Sequence, residues 1–250
     1  YFYKVYNFIN NMFRLSLVLT YTIYFVTHFS QNNNLFENAQ HLCPLQPLMS
    51  TNQNASSVNS QFNINFDSLI NCIEISKSSW YKFSTNDDGG DANLLINQIN
   101  CSGDSNVVFQ SKIHAVVFSY SINNGNSIIQ ILEDCKEDND IINFNLVNLI
   151  PNKIYYLLIN GFSEIDSLSV NATCSFQINI SGPAVQPFFS AGDDLFVAPN
   201  SSFQLNAFGF GFPQWYPNTY MDSINSFNPN LSLNSTTEFL LTITDSNFCV

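Results

Sequence analysis

Lys153-Ile154-Tyr155-Tyr156-Leu157-Leu158-Ile159-Asn160-Gly161 decides how this chain reads. From Ile154 to Ile159 every position is apolar, so both faces of an extended segment must be covered, which marks a central strand buried on both sides. Around it the pattern changes to strict alternation. Ile142, Phe144 and Leu146 alternate with Asn143 and Asn145, and Phe176, Ile178 and Ile180 alternate with Gln177, Asn179 and Ser181. That is the period of strands with one face in a core and one in water, with asparagine as the general outward residue. Turn signals punctuate these runs at Asn86-Asp87-Asp88-Gly89-Gly90, Ser102-Gly103-Asp104, Asn123-Asn124-Gly125-Asn126, Pro151-Asn152 and Asn160-Gly161. No amphipathic helix stands out after residue 30. Strands recurring at this spacing predict an all-β, antiparallel sandwich.

Composition agrees with a packed domain. The 250 residues are 45% hydrophobic and 15% aromatic, so the charged fraction of 10% does not signal disorder. Lys4 and Arg14 precede an apolar run from Leu15 to Phe29, which is too short for a comfortable bilayer span. The first thirty residues therefore read as a secretory signal peptide, cleaved between Ser30 and Gln31, with a retained membrane anchor or a buried helix of the domain as the alternatives. Without them five lysines face nineteen acidic residues, a net charge of 5 − 19 = −14. Such a chain lacks the clustered Lys and Arg that nucleic acids and other polyanions require. The mature form is expected to be exported, free of the membrane, and part of a longer protein.

Two modules are expected after the leader, at residues 31–182 and 183–250. The boundary is drawn at Ser181-Gly182-Pro183-Ala184-Val185-Gln186-Pro187, where two prolines and a glycine interrupt the strand pattern. Beyond it Phe203, Leu205 and Ala207 alternate, as do Phe239, Leu241 and Ile243. Trp215 between Pro213 and Pro217 is suited to filling the space between two small sheets.

Several of these stretches carry a resemblance. Glu37-Asn38-Ala39 through Leu42-Cys43, then Cys72, Trp80-Tyr81-Lys82-Phe83, Ile113-His114-Ala115-Val116-Val117-Phe118 and Leu149 to Phe162 together resemble the bacterial pre-peptidase C-terminal-like domain. The resemblance implies a jelly-roll-like β-sandwich without catalytic activity, carried in secreted proteins of gliding bacteria. Relatives commonly have a cysteine before Glu-Asn-Ala, where this chain has Phe36. Residues 183–250 resemble the PKD-like, immunoglobulin-like repeats of the same surface proteins. The carrying residues are Ala191-Gly192-Asp193, Gln204 to Ala207, Gln214-Trp215-Tyr216-Pro217, Asn228-Pro229 and Thr242 to Cys249. The first-strand cysteine that pairs with the terminal one in those repeats is absent from Phe196-Val197-Ala198-Pro199, which leaves Cys249 without its usual partner.

The six cysteines, Cys43, Cys72, Cys101, Cys135, Cys174 and Cys249, suggest disulfides in an exported chain. Six allow fifteen full pairings. Cys43 with Cys72 and Cys135 with Cys174 are the pairs expected, against free buried thiols as the alternative. No Cys-x-x-Cys is present for zinc or redox chemistry.

Reactive groups are sparse. The histidines are His28, His41 and His114, and neither a Gly-x-Ser-x-Gly elbow nor a His-Glu-x-x-His helix accompanies them. His114 reads as a strand histidine at a sheet surface. Glu133, Asp134, Glu137, Asp138 and Asp140 read as a hydrated hairpin end. Asp87, Asp88 and Asp91 concentrate carboxylates on one turn and are candidate Ca²⁺ ligands, with Asp193-Asp194 as a second candidate, although neither has the EF-hand spacing. Seven Asn-x-Ser/Thr sequons, among them Asn54, Asn100 and Asn171, follow from an asparagine-rich composition. No catalytic residue or cofactor is expected. The chain reads as a non-enzymatic, secreted surface segment for adhesion, with carbohydrate as its first ligand class. The alternative is that it accompanies a secreted protease or other hydrolase whose catalytic domain lies outside this chain. A spacer without a ligand is the third reading.

Overall fold

A computed structural model describes residues 33–55, 78–103, 111–165, 168–187, 189–245 and 249. The signal-peptide reading of residues 1–30 and the Cys72 half of one expected disulfide lie outside them. The described chain is all-β, with 3₁₀ turns of three residues as its only helical elements. It forms two compact units, Gln31–Gln186 and Pro187–Val250.

In the first unit the both-face apolar run is β9, Ile154–Ile165, and it is central. It lies antiparallel between β3, Ser78–Ser84, and β5, Ser111–Asn123. A short parallel strand β1, Gln40–His41, extends this group beside β3. The strands β6, Asn126–Ile131, and β7, Lys136–Asp138, extend it beside β5. A second group consists of β2, Leu48–Thr51; β10, Leu168–Ser181; β4, Gly90–Gly103; and β8, Ile142–Leu149, hydrogen-bonded in that order.

Both groups contribute side chains to one core. Tyr81, Phe83, Val117, Leu157 and Ile159 of the first group bury with Leu94, Ile96, Phe144, Phe176 and Ile178 of the second. The reverse face of β9 is covered as well. There Trp80, Val116, Phe118 and Leu158 pack under Phe36 and Ala39. Phe36 meets the rings of Trp80, Tyr120 and Tyr156 at centroid distances of 5.7, 5.0 and 4.5 Å. Asn33 ties this segment down by accepting the Trp80 N–H at 2.8 Å and donating its amide to the Trp80 carbonyl at 3.1 Å. The residue standing where relatives of the resembled family carry cysteine is thus an aromatic plug over the second core.

The two groups are joined by β10 itself. Its residues 168–171 pair with β9, and from Ala172 onward it pairs with β4 and β2. The crossing point is crowded. A Cβ on Gly161 would lie 2.5 Å from the Ala172 carbonyl oxygen and 2.6 Å from Asn52 Nδ2. This corrects the reading of Asn160-Gly161 as a turn. The pair lies inside β9, Asn160 is buried, and Ser78 Oγ donates to its Oδ1 at 3.4 Å. Glycine is required there by close approach of backbone, so Gly161→Ala is expected to cost about 2 to 3 kcal/mol. A shift of the urea midpoint at unchanged slope measures it.

The expected hairpin turn at Asn124-Gly125 is present, with φ of 50° and 80° between the paired Asn123 and Asn126. The first compact unit runs through Gln186. Ala184 and Val185 are buried in the first core, and Asn86 holds the segment by donating its amide to the Pro183 and Gln186 carbonyls.

The second unit contains two antiparallel ribbons. One joins β11, Ser202–Gln204, to β13, Asn230–Ser232. The other joins β12, Phe212–Tyr216, to β14, Leu240–Thr244. Trp215 is buried as expected, and its indole N–H donates to the Ser226 carbonyl at 2.9 Å.

Candidate binding surfaces

The outward rows of the second strand group carry amide side chains on either side of the half-buried Leu95. Residues directly opposite across an antiparallel pair share a face, and the register sets Asn93 against Asn145, Leu95 against Asn143, Asn179 against Leu95 and Gln177 against Asn97. Alternation puts Leu94, Phe144 and Ile178 inside, so these amides have to face out. Asn93 Nδ2 donates to Asn143 Oδ1 at 2.8 Å and to Asn145 Oδ1 at 3.0 Å. Asn179 and Gln98 both reach Gln177 Oε1 at 3.4 Å. Asn143 and Asn145 remain exposed, so part of their hydrogen-bonding capacity faces solvent. Asp91 at one end accepts the Asn148 N–H at 3.0 Å, and at β8 the Lys136 ammonium donates to the Asn143 backbone carbonyl at 2.7 Å.

A second cluster sits on the outer face of the first group. His114 on β5 is directly opposite Glu137 on β7 and opposite Asn160 on β9. Its Nε2 pairs with Glu137 Oε2, and its ring stacks on Phe162 at 3.8 Å. Lys112 donates to Glu137 Oε1 at 2.6 Å. That hydrogen bond, above all, holds the Glu137 carboxyl below its ordinary value of 4.5, against a smaller rise from burial and with further help from His114. A carboxyl depressed in the folded state stabilises it above the unfolded value and loses that contribution as pH falls through the folded one. Stability is therefore expected to fall on acidification below pH 4.5, and Glu137→Gln should flatten that slope while costing at most about 1 kcal/mol at neutral pH, because the pair is half exposed. Thermal melts across the acid range check both. Glu133 is likewise engaged: it accepts the Asn145 N–H at 2.8 Å and pairs with Lys136 at 2.6 Å, so the expected hydrated hairpin end is partly a structural clasp.

Asp87, Asp88 and Asp91 are exposed and are not gathered into a ligand set; among the described residues no three His, Cys, Asp or Glu side chains converge on a metal position. The turn has another organiser, since Asn86 Oδ1 accepts the N–H groups of Asp88 at 3.2 Å and Gly89 at 3.0 Å. Asp193 and Asp194 line a cavity of about 90 Å³ together with Phe203, Leu205, Trp215 and Phe239.

Cysteine pairing departs from expectation. Cys174 is bonded to Cys101, not to Cys135, because the β10–β4 register sets the two directly opposite. Cys43, Cys135 and Cys249 are disulfide-bonded too, and no described cysteine is a free thiol. Cys249 thus has a partner despite lacking the first-strand cysteine of the resembled repeat. Disulfides belong to an oxidising environment. Among the described residues no helix is long and apolar enough to cross a membrane. No protein-family model, curated protein or solved structure matches this chain.

Proposed function

We propose that this chain is a non-catalytic segment of an exported surface protein, built as a jelly-roll-like sandwich followed by an immunoglobulin-like module, and that it binds neutral carbohydrate. The observation that carries this reading is the pair of amide clusters, Asn93 with Asn143 and Asn145, and Gln177 with Asn179, neutral donors and acceptors suited to sugar hydroxyls. A net charge of −12, or −14 without the leader, disfavours acidic glycans and nucleic acids. The disulfides support export, and the pre-peptidase C-terminal-like and PKD-like resemblances support a modular role beside other domains. Screening the whole chain on an array of neutral and acidic saccharides tests the reading. Signal on neutral oligosaccharides is expected; an array with no neutral ligand would favour a spacer and defeat the proposal.

A further inference from the structure

The second unit presents an aromatic strip that the sequence pattern did not single out. Along β12 the burial alternates, with Pro213 and Trp215 inside and Phe212, Gln214 and Tyr216 outside. Phe212 is 74% and Tyr216 70% exposed, and the register brings Thr244 beside Phe212 and Thr242 beside Gln214 on the same side. Both rings are largely solvent-facing, which leaves their faces open to a ligand.

Two features hold the strip in place. Gly211 takes φ 134°, and a Cβ there would lie 2.5 Å from the Thr244 carbonyl oxygen, so glycine alone lets the chain enter β12 this close to β14. Underneath, Trp215 anchors the strand through its indole bond to Ser226 and its backbone N–H bond to the Ile224 carbonyl at 2.9 Å. The rings are therefore displayed from a fixed ribbon, which limits the ordering cost of binding.

We infer that Phe212, Gln214 and Tyr216 form a stacking platform for an extended neutral polysaccharide. The inference rests on the carbohydrate-binding reading above and adds to its amide face a second site. Four residue steps along the strand separate the two ring positions by about 13 Å, a span that accommodates a short run of linked pyranoses. The axial C–H groups of a pyranose form an apolar patch that meets the electron-rich face of an aromatic ring. Between the rings, the Gln214 amide and the Thr242 hydroxyl are placed for the sugar's own hydroxyls. Charge selects within the class. Residues 187–250 contain five carboxylates and no Lys, Arg or His, so a uronate or sulfated chain is repelled and a neutral one is not.

Affinity electrophoresis of the disulfide-intact whole chain tests this, in gels containing hydroxyethyl cellulose, mixed-linkage β-glucan, galactomannan or, as the acidic comparison, alginate. Retardation by a neutral polymer is expected, and Phe212→Ala with Tyr216→Ala should weaken it about tenfold while Phe212→Tyr preserves it. If the double variant does not fold, Phe212→Ser and Tyr216→Ser carry the same test separately. Full retardation of a folded variant would overturn the platform and leave the carbohydrate reading standing. No retardation of the parent chain by any neutral polymer would defeat both. Light scattering showing a dimer that the double variant abolishes would assign the strip to a second copy of the chain and overturn the inference.

Discussion

Asn52→Leu is expected to destabilise the first unit by about 3 to 4 kcal/mol, although leucine has the same number of side-chain heavy atoms as asparagine. Asn52 is fully buried where β10 passes from one strand group to the other. Its Oδ1 accepts the Cys174 N–H at 2.7 Å, and its Nδ2 donates to the Ala172 carbonyl at 3.0 Å. Its own backbone N–H reaches the Cys174 carbonyl at 3.1 Å. The side chain thus continues the work of β2 just past its end, supplying a donor and an acceptor where no further strand residue does. Leucine removes both, and each buried group left without its bond costs about 1 to 3 kcal/mol. Urea unfolding should show a lower midpoint with the same slope. A loss below about 1 kcal/mol would mean that water or a shifted strand replaces the amide.

Removing the Cys101–Cys174 disulfide is expected to cost as much. The bond closes a loop with a sequence separation of 73 residues, for which the chain-entropy account gives about 4 kcal/mol. Cys174 is fully buried beside Gly161, so the alanine variant also forfeits packing at the crossing point. Cys101→Ala with Cys174→Ala should lower the melting temperature on the order of 10 °C. An unchanged melting temperature in the double alanine variant would show that the amide of Asn52 and the β10–β4 pairing hold the crossing without the crosslink. Because Asn52 and Cys174 share hydrogen bonds, the two effects are not expected to add.

The strands were legible wherever one face is dry and the other wet. Ile142 to Leu146 and Phe176 to Ile180 alternate in sequence as they do in burial, and the unbroken run in β9 announced a second covering layer that Phe36 and Ala39 supply. What failed was local punctuation. Asn160-Gly161 has the chemistry of a hairpin turn, yet its glycine answers to the Ala172 carbonyl, eleven residues away in sequence, which no local pattern encodes. The Cys135–Cys174 pairing failed for a related reason: Cys101 faces Cys174 only once register is set, and register is a property of the paired strands. The amide face was foreseeable from Asn alternation. The aromatic strip was not, because along Phe212-Pro213-Gln214-Trp215-Tyr216 large apolar side chains occupy both rows, and only packing reveals that Trp215 turns inward.

Calorimetric titration of the whole chain with a neutral oligosaccharide, at low and at high salt, tests the central claim most directly. Binding through amides and rings releases no counterions, so the affinity should be the same in both and the saccharide should be recovered intact. Affinity that falls steeply with salt, or a saccharide returned in shorter pieces, would contradict the account.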